Sequence, residues 1–122
     1  MDAKHFESVY THHGGDLNVD HRLTFQAVLT ATRPQPGMTV RSLHSFEVPS
    51  STEWAFDGSF QPNVFQDVVW QAKAKALACY FEEMRPWPHP RSPEALEARA
   101  KYWGSMVGVE YAEAFALVRM VA

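Results

Sequence analysis

Three histidines and two aspartates lie within ten residues of this chain, and no other stretch offers as many groups capable of chemistry. Two adjacent histidines precede a Gly-Gly pair and an aspartate follows it, in segment 12–16. The second aspartate and the third histidine are adjacent at positions 20 and 21. Imidazole and carboxylate groups bind zinc and other transition metals, and two glycines allow a chain to turn around an ion. The candidate metal ligands are His12, His13, Asp16 and His21.

The arrangement of these residues along the chain argues against a shared site. Their spacing matches no established metal-binding motif. If the following segment is a strand, His21 lies on its apolar face and Asp20 on the opposite face, so the strand separates the two side chains. The simpler interpretation is a polar turn before a strand, with His21 hydrogen-bonded near the edge of the core.

Signals for nucleophilic catalysis are weak. The single cysteine, Cys79, lies within an apolar helical stripe, where thiols are usually buried and inert. The sequence contains no Gly-x-Ser-x-Gly elbow and no Gly-rich phosphate loop before a helix. We therefore assign no catalytic residue and no cofactor at this stage, and a protein without catalytic activity is favoured over an enzyme.

Composition indicates one globular domain spanning residues 1–122. Hydrophobic residues make up 46% and charged residues 20%, and the net charge is −3, so the chain can form a core but has no basic surface for nucleic acid. A lone cysteine fits a reducing compartment. No apolar run reaches the ~20 residues of a membrane span, and the first residues lack a secretion signal. We expect a cytoplasmic protein.

Periodicity predicts an α+β fold with strands in residues 1–60. Apolar and polar residues alternate from Leu17 to Thr32 and again from Met38 to Val48, with a break containing two prolines and a glycine between them. Alternation is typical of strands with one buried face, so we expect a β-hairpin. Shorter strands are expected at His5–Thr11 and around Trp54–Phe60. The prediction is an antiparallel sheet of three or four strands.

A helical period begins after residue 62 and predicts a long helix over 62–84 that packs on this sheet. The helix carries two apolar stripes, of which only one can face the sheet. The other needs a second helix or a second molecule. The second stripe contains Trp70, Ala74, Leu77 and Phe81.

The rest of the chain is predicted to be a proline-rich connector, 85–93, followed by a helical segment, 94–121. Ser92 suits the N-cap position, Pro93 the first helical position, and Gly108 a helix end. Residues 109–121 also fit a strand, and that alternative stays open.

Surplus apolar surface makes protein binding the first functional hypothesis: an interaction module, an inhibitor or a subunit of an assembly. Trp87, between two prolines, is the expected anchor for an unidentified protein partner, with Arg22 and Arg41 on the outward face of the hairpin. A homodimer through Trp70, Leu77 and Phe81 is also expected. The alternative is a small metal-dependent enzyme that uses the histidine-rich region.

Overall fold

A computed structural model describes residues 6–122. The strands are β1 (Ser8–His12), β2 (Ser42–Phe46), β3 (Val64–Asp67) and β4 (Ala112–Met120). The α-helices are α1 (Val19–Ala31), α2 (Trp70–Ala78) and α3 (Pro93–Val107), and short 3₁₀ helices span Thr52–Trp54 and Phe81–Glu83. The four strands form one sheet in the order β1-β2-β4-β3. The predicted α+β class and strand number are confirmed.

The first two strands are parallel neighbours, and this overturns the predicted hairpin. Ser8 is aligned with Ser42 and His12 with Phe46, whereas β2 and β4 are antiparallel. Parallel neighbours require a crossover connection, and α1 provides it. The strand predicted over 17–32 is therefore wrong. Residue His5, at the start of the predicted edge strand, lies outside the described residues.

Local capping explains why this segment is helical. The Asn18 side chain accepts a hydrogen bond from the backbone N–H of Asp20 at 2.8 Å, and Asp20 places a negative charge in the first turn. No residue of α1 is buried. Because α1 buries none of its residues, its apolar side chains need not lie on one face of the helix. Their alternation with polar residues therefore resembles the pattern of a strand although the segment is helical.

The predicted helix over 62–84 is shorter than expected because its first part pairs with β4. The backbone N–H of Asn63 donates to Phe115 O at 2.9 Å, and that of Val68 donates to Tyr111 O at 3.0 Å. β-Branched residues at the start of the segment favour this extended conformation. The short strand predicted around residues 54–60 is instead the end of a 3₁₀ helix followed by irregular backbone with a bend at residues 56–57.

The start of α3 follows the predicted pattern, whereas its end comes earlier. The Ser92 hydroxyl accepts from the backbone N–H of Ala95 at 3.0 Å, Pro93 is the first helical residue, and Gly108 ends the helix with φ 80°. Residues 112–120 form β4, so helix over the whole of 94–121 is wrong and the strand alternative is correct.

The chain divides into two compact units. The first comprises the chain up to Asn63 together with Phe115–Ala122, and the second comprises Val64–Ala114. Leu43 is fully buried in the first unit, and Trp103 packs near the Phe65 ring in the second. A single domain over 1–122 stays a prediction. Among residues 6–122, no helix has the length and apolar character that crossing a membrane requires.

Candidate functional site

A buried carboxylate, that of Asp16, lies at the end of the loop between β1 and α1. Its side chain has no exposed surface. Oδ1 accepts a hydrogen bond from the Thr52 hydroxyl at 2.5 Å, while Oδ2 accepts from the Ser51 hydroxyl and from the backbone N–H of Asn18. The carboxylate therefore ties the loop before α1 to the 3₁₀ helix at residues 52–54.

A fourth donor to the same carboxylate is an imidazole. Nδ1 of His21, in the first turn of α1, lies 2.6 Å from Asp16 Oδ2. An ionised carboxylate can only accept, so Nδ1 carries a proton, and in the neutral ring the lone pair is on Nε2. The His21 side chain is 20% exposed. Asp16 thus fixes both the orientation and the tautomer of a partly accessible imidazole.

The charge of Asp16 follows from its environment. Burial acts to raise the pKa of this carboxyl, but hydrogen bonds from Ser51, Thr52 and His21 outweigh burial and leave the pKa below its ordinary value. Asp16 is consequently ionised at neutral pH, as an orienting carboxylate must be.

A second imidazole stacks on the first. The His12 ring lies 4.3 Å from the His21 ring, centroid to centroid, and 4.9 Å from the Phe46 ring. Burial and the neighbouring His21 lower the pKa of His12, and Asp16 opposes them only in part. His12 is therefore neutral at pH 7. Its Nδ1 is buried and has no hydrogen-bond partner among the described residues.

The third histidine of the loop is directed elsewhere. Nε2 of His13 donates to Gly58 O at 2.7 Å, and the ring contacts Phe60 edge-on at 5.4 Å. The backbones of Gly15 and Gly58 touch so closely that a Cβ on Gly58 would clash with Gly15. His13 is thus held on a neighbouring loop, separately from the His12–His21 stack.

The structure therefore brings together three of the four candidate ligands: His12, Asp16 and His21. They meet because α1 begins at Val19 and turns the chain back at once, whereas a strand would have carried His21 away. Sequence reasoning missed Ser51 and Thr52, which lie 35 and 36 residues along the chain from Asp16. No local pattern marks such distant partners.

Direct metal ligation by all four candidates does not fit this geometry. The Asp16 oxygens accept four hydrogen bonds, and His13 Nε2 is bonded to a carbonyl. Within the described part of the chain, no group of three or more His, Cys, Asp or Glu side chains is arranged to hold a metal ion. The two stacked imidazoles are the donors that remain.

The residues expected to bind a partner are not on one sheet face. Arg22 lies on α1 and donates to the carbonyls of Asp16 and Leu17, and Arg41 precedes β2 and donates to Ala122 O at 3.2 Å. The predicted hairpin face that would have carried both arginines does not exist. Trp87 lies in the irregular segment between Glu83 and α3, with 62% of its surface exposed.

The residues of the second stripe share one surface. They line an apolar groove of about 430 Å³ on α2 and the turn that follows it. Homodimer formation through this groove stays a prediction. The lining consists of Trp70, Ala74, Leu77, Ala78, Phe81, Met84 and Pro93.

Comparison with known proteins does not assign this site. No protein-family model matches the sequence, and a search of curated proteins finds no significant relative. The geometry of the two imidazoles and the carboxylate must therefore carry the functional argument.

Proposed function

We propose that the protein is a small metal-dependent hydrolase whose active site is built on the cluster of His12, Asp16 and His21. The observation that supports this proposal is the contact between His21 Nδ1 and the buried, ionised Asp16 at 2.6 Å. Metal-binding histidines commonly donate their other ring N–H to a carboxylate, which fixes the ring and raises its basicity. In this role Asp16 is a positioning residue and His21 Nε2 is the metal ligand.

Water is the nucleophile in this proposal. The two hydroxyls of the cluster, those of Ser51 and Thr52, are buried and donate to Asp16, so they are not available to attack a substrate. A bound divalent cation lowers the pKa of a water molecule and polarises a carbonyl oxygen. That chemistry is hydrolysis of an ester or amide.

The protonation state of the second imidazole suits the same role. Metal binding requires deprotonated ligands, and burial keeps His12 neutral at pH 7. The stacked rings, 24° apart, do not point two nitrogen lone pairs at one ion, so His12 would join His21 as a second ligand only after its ring turns, and the remaining positions are left to water and substrate. A zinc site generally takes three protein ligands and this cluster offers two at most, so we expect weak binding, with a dissociation constant no tighter than the micromolar range, about −8 kcal/mol.

The test is a calorimetric zinc titration of protein purified without a histidine tag. We expect one zinc ion per chain for the wild type, loss of binding for His21→Ala and His21→Gln, and unchanged binding for His44→Ala. His44 is the matched control because it stacks on Tyr10, with ring centroids 5.0 Å apart, and takes no part in the Asp16 cluster. Hydrolysis of p-nitrophenyl acetate should follow the same order.

Equal zinc binding by folded His21 variants, as judged by circular dichroism, would contradict the proposal. A loss of zinc binding in His44→Ala as complete as that in His21→Ala would also contradict it. Zinc would then depend on histidines outside the Asp16 cluster.

Protein binding is the second candidate, and the exposure of Trp87 favours it. A tryptophan that is 62% exposed beside two prolines can bury a large ring at low entropic cost, since its backbone is already held in a turn by the hydrogen bond from the His89 N–H to Pro86 O at 3.1 Å. The extended backbone expected for this segment is therefore not found at Trp87. Arg22 and Arg41 already donate to backbone carbonyls, which leaves Trp87 as the anchor. We expect Trp87→Ala to weaken partner binding at least about tenfold and to move the thermal midpoint by only a few degrees. A large fall in the midpoint would show that Trp87 stabilises the fold instead.

A further inference from the structure

A small cavity in the first unit brings two arginines together. It measures about 140 Å³ and lies between the turn after α1, the start of β2 and the end of β4. None of the residues that line it is acidic. The lining consists of Pro34, Gln35, Met38, Val40, Arg41, Arg119 and Val121.

The pairing of β2 with β4 explains why the two arginines are neighbours. Arg119 is aligned with Leu43, and the carbonyl of Arg41 accepts from the backbone N–H of Val121 at 2.7 Å. Arg41 and Arg119 therefore occupy diagonal positions across the two chain segments. Side chains in such positions begin roughly 7–8 Å apart, so two long ones can contact the same small group.

A backbone carbonyl orients each guanidinium group. Nη2 of Arg119 donates to Thr32 O, at the C-cap of α1, at 2.6 Å, and Nη2 of Arg41 donates to Ala122 O at 3.2 Å. Arginine has several N–H donors, so each side chain keeps donors that these bonds do not use. Both arginines are thus held beside the cavity with hydrogen-bonding capacity left over.

The positive charges of these arginines are not balanced within residues 6–122. Neither Arg41 nor Arg119 forms an ion pair with a described residue. Glu7, which precedes β1, contacts Arg41 through the backbone, where its carbonyl accepts from the Arg41 N–H at 2.7 Å. The C-terminus of α1 adds a partial negative charge of about one half, which is small beside two full positive charges. Like charges on neighbouring strands repel each other, so the cavity favours an anion.

We propose that this cavity binds a phosphate group, held by the guanidinium groups of Arg41 and Arg119. Its volume equals that of roughly four or five water molecules, which is enough for one tetrahedral oxyanion. The planar guanidinium fork matches the oxygens of phosphate and donates charge-assisted hydrogen bonds to them. A phosphate group carries between about 1.5 and 2 negative charges at pH 7, so it balances both arginines, whereas a carboxylate balances one.

The phosphate group is either the free ion or part of a small phosphate monoester. Apolar side chains line the cavity beside the arginines, and they offer contacts to the carbon atoms of an ester: Met38, Val40 and Val121. The net charge of −3 opposes the approach of any anion. We therefore expect weak binding, with a dissociation constant of about 0.1 to 1 mM at low salt.

An NMR titration of the full chain with sodium phosphate or glycerol phosphate tests the proposal. Sodium chloride at the same ionic strength is the reference, because screening acts in both salts. We expect saturable shifts of the backbone amides of Gln35, Arg41 and Arg119 with phosphate only. The compound that binds more tightly identifies the source of the phosphate group. The titration contains no zinc, so its outcome is independent of the metal site proposed above.

Substitutions separate this site from a general effect of charge. Arg41→Gln and Arg119→Gln should each raise the dissociation constant for phosphate at least about tenfold. Arg85→Gln is the matched control, because Arg85 is also exposed and donates to backbone carbonyls but does not line the cavity. It should bind phosphate like the wild type. Arg119→Gln also loses the bond to α1, so the exposed Arg41 provides the variant least dependent on folding.

Absence of saturable shifts with both phosphate compounds would overturn the proposal. Equal weakening by Arg85→Gln would overturn it too, because the effect would then come from net charge. A folded Arg41→Gln chain that binds phosphate as tightly as the wild type would place the anion elsewhere and have the same consequence.

Discussion

In the cluster around Asp16, both oxygens of a buried carboxylate are hydrogen-bonded; in the groove on α2, apolar groups are exposed to water. The first arrangement fixes geometry, because four hydrogen bonds converge on one carboxylate from three parts of the chain. The second contributes little to its own fold, since no residue of α2 is buried. Substitutions in the cluster should therefore change the stability of the fold, whereas substitutions in the groove should leave it almost unchanged.

The largest effect should come from Asp16→Asn, which replaces an acceptor by an amide with two donors. Several donors already point at that position, so the amide leaves buried groups unsatisfied, and we expect a loss of about 3 kcal/mol in the free energy of unfolding. Urea denaturation measures it. Asp20→Asn is the control: Asp20 is exposed, and its loss should cost less than about 0.5 kcal/mol. Similar losses for the two variants would mean that the cluster does not organise the fold.

An intermediate effect is expected from pH, also at the cluster. His12 and Asp16 both have a pKa in the folded protein below the ordinary value, so the unfolded chain binds more protons. Stability should therefore fall as pH drops below about 6.5, through the His12 window, and fall again below about 4, through the Asp16 window. Comparison of thermal midpoints for the wild type and His12→Gln isolates the first window. A wild-type midpoint that rises between pH 7.5 and 5.5 relative to His12→Gln would contradict this sign.

The smallest effect on folding should come from the groove. Phe81→Ala removes a ring that is 72% exposed, so we expect the free energy of unfolding of the monomer to change by less than about 0.5 kcal/mol. Urea denaturation at low protein concentration measures it. A loss comparable to that of Asp16→Asn would show that Phe81 belongs to the core, and the contrast between the two regions would fail.

The sequence allowed the second unit to be predicted better than the first, for a physical reason. Ser92, Pro93 and Gly108 are local signals, and they mark the limits of α3 whatever the rest of the chain does. The conformation of β4 does not follow from the local sequence, because alanine-rich alternation fits either a helix or a strand. Pairing with β2 and β3, which lie far away along the sequence, makes this segment a strand.

In the first unit the misassignment of α1 also hid the candidate site. The cap at Asn18 and the acid at Asp20 indicate a helix, but the apolar–polar alternation of this unburied segment indicates a strand. With a strand in that place, the contact between Asp16 and His21 could not be foreseen. Ser51 and Thr52 could not be found by any local pattern, because loop closure over some 35 residues brings them to Asp16.

Nitrogen NMR of the histidine rings tests the proposed metal site most directly. Without metal, His21 should carry a proton on Nδ1, because Nδ1 donates to the Asp16 carboxylate. On addition of zinc, the Nε2 resonance of His21 and a ring resonance of His12 should shift, while those of His13 and His44 stay in place. An unprotonated Nδ1 on His21, or zinc-induced shifts confined to His13 and His44, would contradict the account.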